Sequence, residues 1–219
     1  MKIDQTQTTC PPLSLSLPDS KRLFDIGFSI VALVFLLPVF LFISLLLFIF
    51  SSGPLFFSSA RAGKNGKPFV CWKFRTMYPD AAEMLPQLLE NCENSKEQWE
   101  TYLKLKHDPR VTPIGKWLRK ASLDELPQLW NVLKGDLSIV GPRPYLLEEV
   151  ETGLQGEAEK ILSLRPGITG IWQTSGRNRL PFSQRIALDA QYVDKRSFLF
   201  DLWLICKTIP TLLFMKGAY

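Results

Sequence analysis

Residues 26–50, IGFSIVALVFLLPVFLFISLLLFIF, form an uncharged and mostly apolar run with Pro38 at its centre. A straight membrane-crossing helix needs about 20 such residues, so the run is long enough to cross. Pro38 lacks an N–H, clashes with the carbonyl four residues back and disfavours helix at Leu37, which predicts a kink. Lys21 and Arg22 precede the run, and Arg61, Lys64, Lys67, Lys73 and Arg75 follow it. Basic residues on both sides place both flanks on the cytoplasmic face. A helix that enters one leaflet, breaks at Pro38 and returns to the same face satisfies length, proline and flanks together. A kinked single span is the alternative, because spanning helices tolerate proline. A cleaved signal peptide fits less well, since its apolar region would be about 7–15 residues.

Outward from that run, residues 1–20 (MKIDQTQTTCPPLSLSLPDS) are polar and rich in Pro and Ser, the composition of a disordered cytoplasmic leader. Residues 21–50 then form the membrane helix. Residues 51–219 are enough for one compact soluble domain. The net charge of +5 and sequence pI of about 9.0 suit an anionic membrane surface, phosphorylated substrates or nucleic acid. The anchor favours the first two. Cys10, Cys71, Cys92 and Cys206 are scattered, with neither metal-ligand spacing nor a disulfide framework, as expected in a reducing cytosol. The single histidine, His107, lies in the charged stretch KLKHDPR, which excludes a multi-histidine zinc site. No GxxxxGK[ST] loop and no GxGxxG after a strand occurs, so nucleotide hydrolysis and dinucleotide chemistry lack their usual signatures.

Residues 54–78 read as two short strands around Lys64-Asn65-Gly66-Lys67, because Asn-Gly is a strong hairpin signal. Residues 80–107 are charged with sparse apolar positions and predict one or two surface helices. In DPRVTPIGKWLRK, Thr112 as N-cap and Pro113 as first helical residue start a short helix ending near Lys120. In SLDELPQLWNVLKGD, Ser122 and Glu125 have capping-box spacing, Leu126, Leu129, Trp130 and Leu133 share a face, and Gly135 is a natural stop. These signals predict a helix over about 123–134. The last segment, SFLFDLWLICKTIPTLLFMKGAY, is interrupted by Asp201, Lys207 and Pro210. It is too broken to span and reads as an interfacial or core helix, with Trp203 placed for headgroup depth. The expected fold is therefore α+β, mostly helical: a small cytosolic domain with a short β-hairpin on a proline-broken re-entrant helix.

Adjacent acids in a first helical turn lie beside free backbone N–H groups and positive dipole, which keeps Asp124 ionised and able to accept a phosphoryl group. Glu125 could then hold Mg²⁺ together with substrate phosphates. A purely structural role serves both residues as well, Glu125 as a cap and Asp124 against the dipole. Arg143 in VGPRPYL, Arg165 in LRPGITG and Arg177 in SGRNR occupy stiff or tight-turning segments, which pre-positions guanidinium forks for phosphate. A nucleic-acid groove is disfavoured because these arginines lack interleaved aromatics.

The proline-broken apolar run, WKFRTM, DPRVTPIGKWLRK, SLDELPQLWNVLKGDLSIVGPRP, RPGITGIWQTSGRN and a final LDAQYV element, in that order from about Lys21, resemble the bacterial sugar transferases, the monotopic polyprenol-phosphate phosphoglycosyl transferases. The resemblance implies transfer of a sugar 1-phosphate from a UDP-sugar to undecaprenyl phosphate, with release of UMP. It implies a re-entrant helix at the cytoplasmic face of the inner membrane, Mg²⁺ as cofactor, and Asp124 and Glu125 as the catalytic pair. Asp124 would form a covalent sugar-phosphoryl intermediate and Glu125 would bind the metal. By motif position it also implies Arg119, Arg143, Arg165 and Arg177 as anion contacts, with Lys73 and Arg75 as weaker members of the same pocket. Gln173 and Asn178 become candidates for reading sugar or uracil. The terminal Gly-Ala-Tyr resembles members using galactose or glucose, with an N-acetylated amino or deoxy-amino sugar as the alternative. The rival class is a non-enzymatic membrane-anchored protein that binds anionic lipid or recruits partners.

Overall fold

The computed structural model of the chain describes residues 20–51, 53–176 and 180–213. The leader up to residue 19, Arg177 and Asn178 lie outside them. The apolar run is one helix, α1 (Ser20–Phe50), long and apolar enough to cross a membrane. Its helical backbone continues through Pro38, so the expected break is not an interruption of helix. Asp25, Ser29, Ile43 and Leu47 are buried, and Ala32, Leu33, Leu36, Val39 and Phe40 pack against the domain cores. Spacings of three and four make these a single helical stripe. Ile30, Val34, Phe35, Leu41, Phe42, Leu45 and Phe48 on the other faces are exposed.

After α1 comes the expected hairpin, β1 (Phe56–Ala62) against β2 (Pro68–Phe74), antiparallel with Phe56 opposite Phe74 and Ala62 opposite Pro68. Its turn is a 3₁₀ loop, Lys64–Gly66, in which Asn65 (φ 57°) and Gly66 (φ 73°) are left-handed, the conformation Asn and Gly tolerate best. The charged stretch forms α2 (Ala81–Asn91) and α3 (Glu93–Tyr102). Helix α4 (Pro113–Ala121) begins as its sequence predicts, with Thr112 Oγ1 accepting from the Gly115 N–H at 2.9 Å and Pro113 at the first position.

The helix expected over 123–134 is shorter. Ser122 is left-handed (φ 56°) and closes α4 instead of capping a new helix. Leu123–Glu125 is a 3₁₀ turn, and α5 covers only Gln128–Lys134. Pro127 explains this: without an N–H it cannot bond back to Leu123, and the chain uses short-range bonds from Leu126 to Leu123 and from Trp130 to Pro127. Gly135 (φ 93°) terminates α5 as expected.

Beyond it lie β3 (Ser138–Val140), α6 (Leu147–Gly153), α7 (Ala158–Leu162), β4 (Gly167–Thr169), α8 (Ile171–Thr174), α9 (Phe182–Lys195) and α10 (Phe198–Leu213). Strands β3 and β4 pair in parallel, a second small sheet with no signal in the sequence. Three-residue strands buried at nearly every position show no alternation to detect. A Cβ on Gly167 would overlap the Gly141 backbone, so this crossing requires glycine.

Three clusters form the interior. Phe74 and Leu118 meet Ile43 and Leu47 of α1. Leu129, Val132, Leu137, Val140, Ile171, Tyr192 and Leu204 form the central core, joined by Ala32, Leu33 and Leu36. Tyr145, Leu154, Ile161, Ile186 and Ala190 form the third. Phe74 and Leu118 are each about 1% exposed or less, and such burial contributes about 1.5–3 kcal/mol per side chain.

Candidate active site

The site is assembled where β2 and α4 converge on the 3₁₀ turn. Beyond β2 the chain is clamped at Thr76, whose carbonyl accepts from the Thr112 N–H at 3.0 Å. Gly115 lets α4 lie directly on that carbonyl, which a Cβ would overlap. One turn later Arg119 Nε donates to Thr76 Oγ1 at 2.9 Å, fixing the guanidinium beside the turn. On the other side Asn131 of α5 receives the Trp72 N–H at 3.1 Å and donates to Val70 O at 2.7 Å, locking α5 to β2. Asn131 is fully buried, and nothing in its sequence pattern marks it.

The two acids differ. Asp124 is buried (8% exposed), whereas Glu125 is half-buried and forms an ion pair with Lys73, Oε1 to Nζ 2.6 Å. Burial, reinforced by the charge of Glu125, raises the Asp124 carboxyl above the ordinary range against the pull of Lys73 and Arg119. Burial also opposes ionisation of Glu125, but Lys73, Lys104 and Arg143 outweigh it and hold its carboxyl low. The capping-box role expected of Glu125 is therefore replaced by an ion pair. Asp124 sits in a 3₁₀ turn, so Lys73 and Arg119 supply the positive field that a helix N-terminus was expected to provide.

Arg143 lies between two prolines in a loop held at both ends. Its N–H donates to Asp189 Oδ2 at 3.1 Å and its Nη2 donates to Glu149 Oε1 at 3.0 Å. Tyr145 OH donates to the same Asp189 oxygen at 2.7 Å, and the Tyr145 carbonyl accepts from the Ala62 N–H. The fully buried Asp189 carboxyl is pushed up to about 7 by desolvation, against the Tyr145 and Arg143 hydrogen bonds. Arg143 stacks against Trp172 at 5.8 Å, and its buried Nη1 has no protein acceptor.

Lys73, Arg119, Glu125, Asp124 and Arg143 thus share one electrostatic neighbourhood. Arg165 does not belong to it: it is exposed, donates from Nε to Gly135 O at 3.0 Å, and lines a separate cleft with Lys21, Arg22 and Arg196. Arg75 follows β2 with its Nη1 buried and lacking an acceptor, packed against Gly53. Gln173 follows the buried Trp172 in α8, its amide oxygen close to Gly170. His107 is exposed. Lys104, which no sequence motif marks, is held well below the usual lysine range by burial and by the charges of Arg143, Arg185 and Lys73, against Glu125. It stands in a polar helix end whose pattern is indistinguishable from a solvated surface.

As to metal, no group of three or more His, Cys, Asp or Glu occurs among the described residues. Two adjacent carboxylates beside basic side chains fit Mg²⁺, which is usually held by one or two carboxylates plus substrate phosphates.

The chain is similar to known proteins over most of its length. The exopolysaccharide production protein ExoY of Sinorhizobium fredii is 44% identical over 200 residues, covering 91% of this chain and 88% of that protein. The undecaprenyl-phosphate galactose phosphotransferase of Salmonella typhimurium is 41% identical over 199 residues, 91% of this chain but 41% of the longer relative. The undecaprenyl-phosphate glucose phosphotransferase of Komagataeibacter xylinus is 34% identical, again over 91% of this chain, and 37% of its own length. The family described as bacterial sugar transferase matches residues 18–215, and the chain belongs to that family of enzymes.

Proposed function

We propose that this transferase moves a sugar 1-phosphate from a UDP-sugar to undecaprenyl phosphate through a covalent intermediate on Asp124. An Asp124 oxygen bonds to the sugar-linked phosphorus as the bond to the bridging oxygen breaks, and UMP leaves with that electron pair. An oxygen of the lipid phosphate then attacks the same phosphorus and expels the Asp124 carboxylate, giving undecaprenyl-diphosphate-sugar. Splitting the transfer in this way gives ping-pong kinetics. The observation that carries the reading is a buried carboxylate, Asp124, beside Lys73 and Arg119 in a chain whose relatives are named undecaprenyl-phosphate sugar phosphotransferases.

Lys73 holds Glu125 in place and, with Arg119, counters the cost of ionising the buried Asp124. Arg143, fixed by Glu149 and Asp189, has its unpartnered Nη1 for phosphate oxygens. Mg²⁺, bound through Glu125, would neutralise charge on the diphosphate. The names of the Salmonella and Komagataeibacter relatives favour galactose or glucose as the sugar.

The enzyme acts at the cytoplasmic face on a re-entrant α1, which turns back at Pro38 by bending and not by losing its helical backbone. What supports this is attachment of both halves of α1 to the same domain. Before Pro38, Lys21 donates to Val140 O and pairs with Asp201, and Arg22 donates to Val132 O and Leu133 O. After it, Ile43 and Leu47 pack on Phe74 and Leu118. A spanning α1 would drag a charged domain through the bilayer with it.

The deciding assay incubates detergent-solubilised protein with Mg²⁺, undecaprenyl phosphate and a panel of UDP-sugars and measures UMP. Release dependent on one UDP-sugar and on the lipid supports the reading, and no release with any of them refutes it.

A further inference from the structure

Positive charge also gathers at the N-terminal end of α1, in residues that take no part in the Asp124 site. A cleft of about 260 Å³ lies there, where α1, the hairpin turn, the loop before β4 and the junction of α9 and α10 meet. Lys21, Arg22, Lys64, Arg165 and Arg196 line it, and its carboxylates are Asp25 and Asp201.

The charges of this cleft do not cancel within the protein. Asp201 pairs with Lys21 and accepts from Tyr192 OH at 2.7 Å, and Asp25 accepts the Ile139 N–H at 3.1 Å, so the fold already uses both acids. Asp136, next to Gly135 in the chain, pairs with Lys134 at 3.3 Å. Arg22 directs its guanidinium to the Val132 and Leu133 carbonyls at the end of α5. Arg165 Nε donates to Gly135 O at 3.0 Å, and a Cβ on Gly135 would lie 3.4 Å from Arg22 Nη2, so two guanidiniums converge on one glycine. Lys64, Arg165 and Arg196 are exposed. Among the described residues, neither they nor Arg22 form an ion pair. Four like charges at one cleft repel one another and favour an anion with several acceptor oxygens.

One rim of the cleft is apolar. Phe198 lines it while 48% exposed, and Phe24 of α1 meets Phe198 edge-to-face with centroids 5.4 Å apart. Phe28 continues this row along α1 at 5.8 Å from Phe24, and Leu199 beside Phe198 is 77% exposed. The cations thus border the exposed apolar surface of the membrane helix. A soluble anion would leave that rim bare, whereas a phospholipid matches both parts, its phosphate among the cations and its acyl chains along the phenylalanines. We propose that this cleft binds the headgroup of an anionic glycerophospholipid and so holds the start of α1 and the α9–α10 junction at the membrane surface. The acceptor lipid is a different ligand, because its phosphate must reach Asp124. Phospholipid binding here does not depend on the reaction proposed above.

The test is native mass spectrometry of the purified full-length protein, released from mixed micelles that hold equal amounts of phosphatidylglycerol and phosphatidylcholine. The wild type should retain phosphatidylglycerol about tenfold or more over phosphatidylcholine, and added salt should shrink that ratio. Lys64→Gln combined with Arg196→Gln removes two exposed cations of the cleft and should lower the ratio about tenfold. Lys67→Gln combined with Lys195→Gln removes the same charge from exposed neighbours outside the cleft and should leave the ratio within about twofold. No preference in the wild type, an unchanged ratio in the cleft variant, or equal losses in both variants would overturn the site. The salt arm needs no variant, and a preference that salt leaves untouched would overturn it as well. Displacement of the phospholipid by equimolar glycerol 3-phosphate would make the cleft a site for soluble anions, and displacement by equimolar undecaprenyl phosphate would make it an acceptor site. Either result contradicts the proposal.

Discussion

Asp124 and Glu125 are neighbours in the chain, yet their surroundings pull them in opposite directions. Burial lifts Asp124, while the 2.6 Å contact with Lys73 keeps Glu125 ionised. A nucleophile must be deprotonated, so activity should fall as pH drops through a pKa above the ordinary carboxylate range. Lys73 lowers that pKa, and Lys73→Met should move the acid limb of kcat/KM to higher pH besides reducing the rate. A limb that stays in place would show that Lys73 does not act on Asp124. At this scale the sequence is readable where covalent neighbours carry the chemistry, as in the acid pair and Pro-Arg-Pro. It is opaque where a role depends on distant partners. Asn131 has its role from Val70 and Trp72, and no local pattern encodes it. Arg165 shares with Arg143 a stiff proline context, yet its guanidinium sits at Gly135, beyond what spacing can tell.

Among the elements, the hairpin turn, the Thr112 cap and the Gly135 stop are legible because each rests on one or two residues of special backbone chemistry. The helix expected from 123 is too long because Pro127 removes the bond that would fuse the turn to α5. Strands β3 and β4 are invisible for lack of alternation. The element contact that most directly sets the site is α4, at Gly115, on Thr76 just beyond β2. Gly115→Ala places a Cβ against the backbone carbonyl of Thr76, which cannot swing aside as a side chain can. Overpacking of this kind costs about 1–3 kcal/mol. Because Arg119 is carried by the same helix, kcat should fall together with the denaturation midpoint. A variant of normal stability and normal kcat would show that α4 is free to shift.

For the whole molecule, the decisive property is that the domain grips α1 on both sides of Pro38. Polar anchors lie at one end (Lys21, Arg22, Asp25) and apolar ones toward the other (Ile43, Leu47). The opposite faces, with exposed Phe35, Phe42 and Phe48, are left to lipid, and Trp117, Trp130 and Trp203 are exposed on the domain itself, as suits headgroup depth. Single cysteines at Ser20 and Ser51, in a background with the native cysteines replaced by serine, should both resist a membrane-impermeant thiol reagent outside intact cells. Both should label in inside-out vesicles. Labelling of either from outside would mean a spanning helix. From sequence alone, length, proline and charge leave the span and the re-entrant loop both open, since each is a property of the segment. The contacts to the domain that support the re-entrant proposal depend on folding.

The central claim is that Asp124 carries the transferred group. The most direct measurement is intact-protein mass spectrometry, with peptide mapping, after incubation with Mg²⁺ and the active UDP-sugar but no undecaprenyl phosphate. The wild type should gain one sugar-phosphoryl group on the peptide bearing Asp124, lose it when the lipid is added, and show none in Asp124→Asn, which cannot form the acyl phosphate. UMP formed without any adduct, or an adduct that survives Asp124→Asn, would contradict the account.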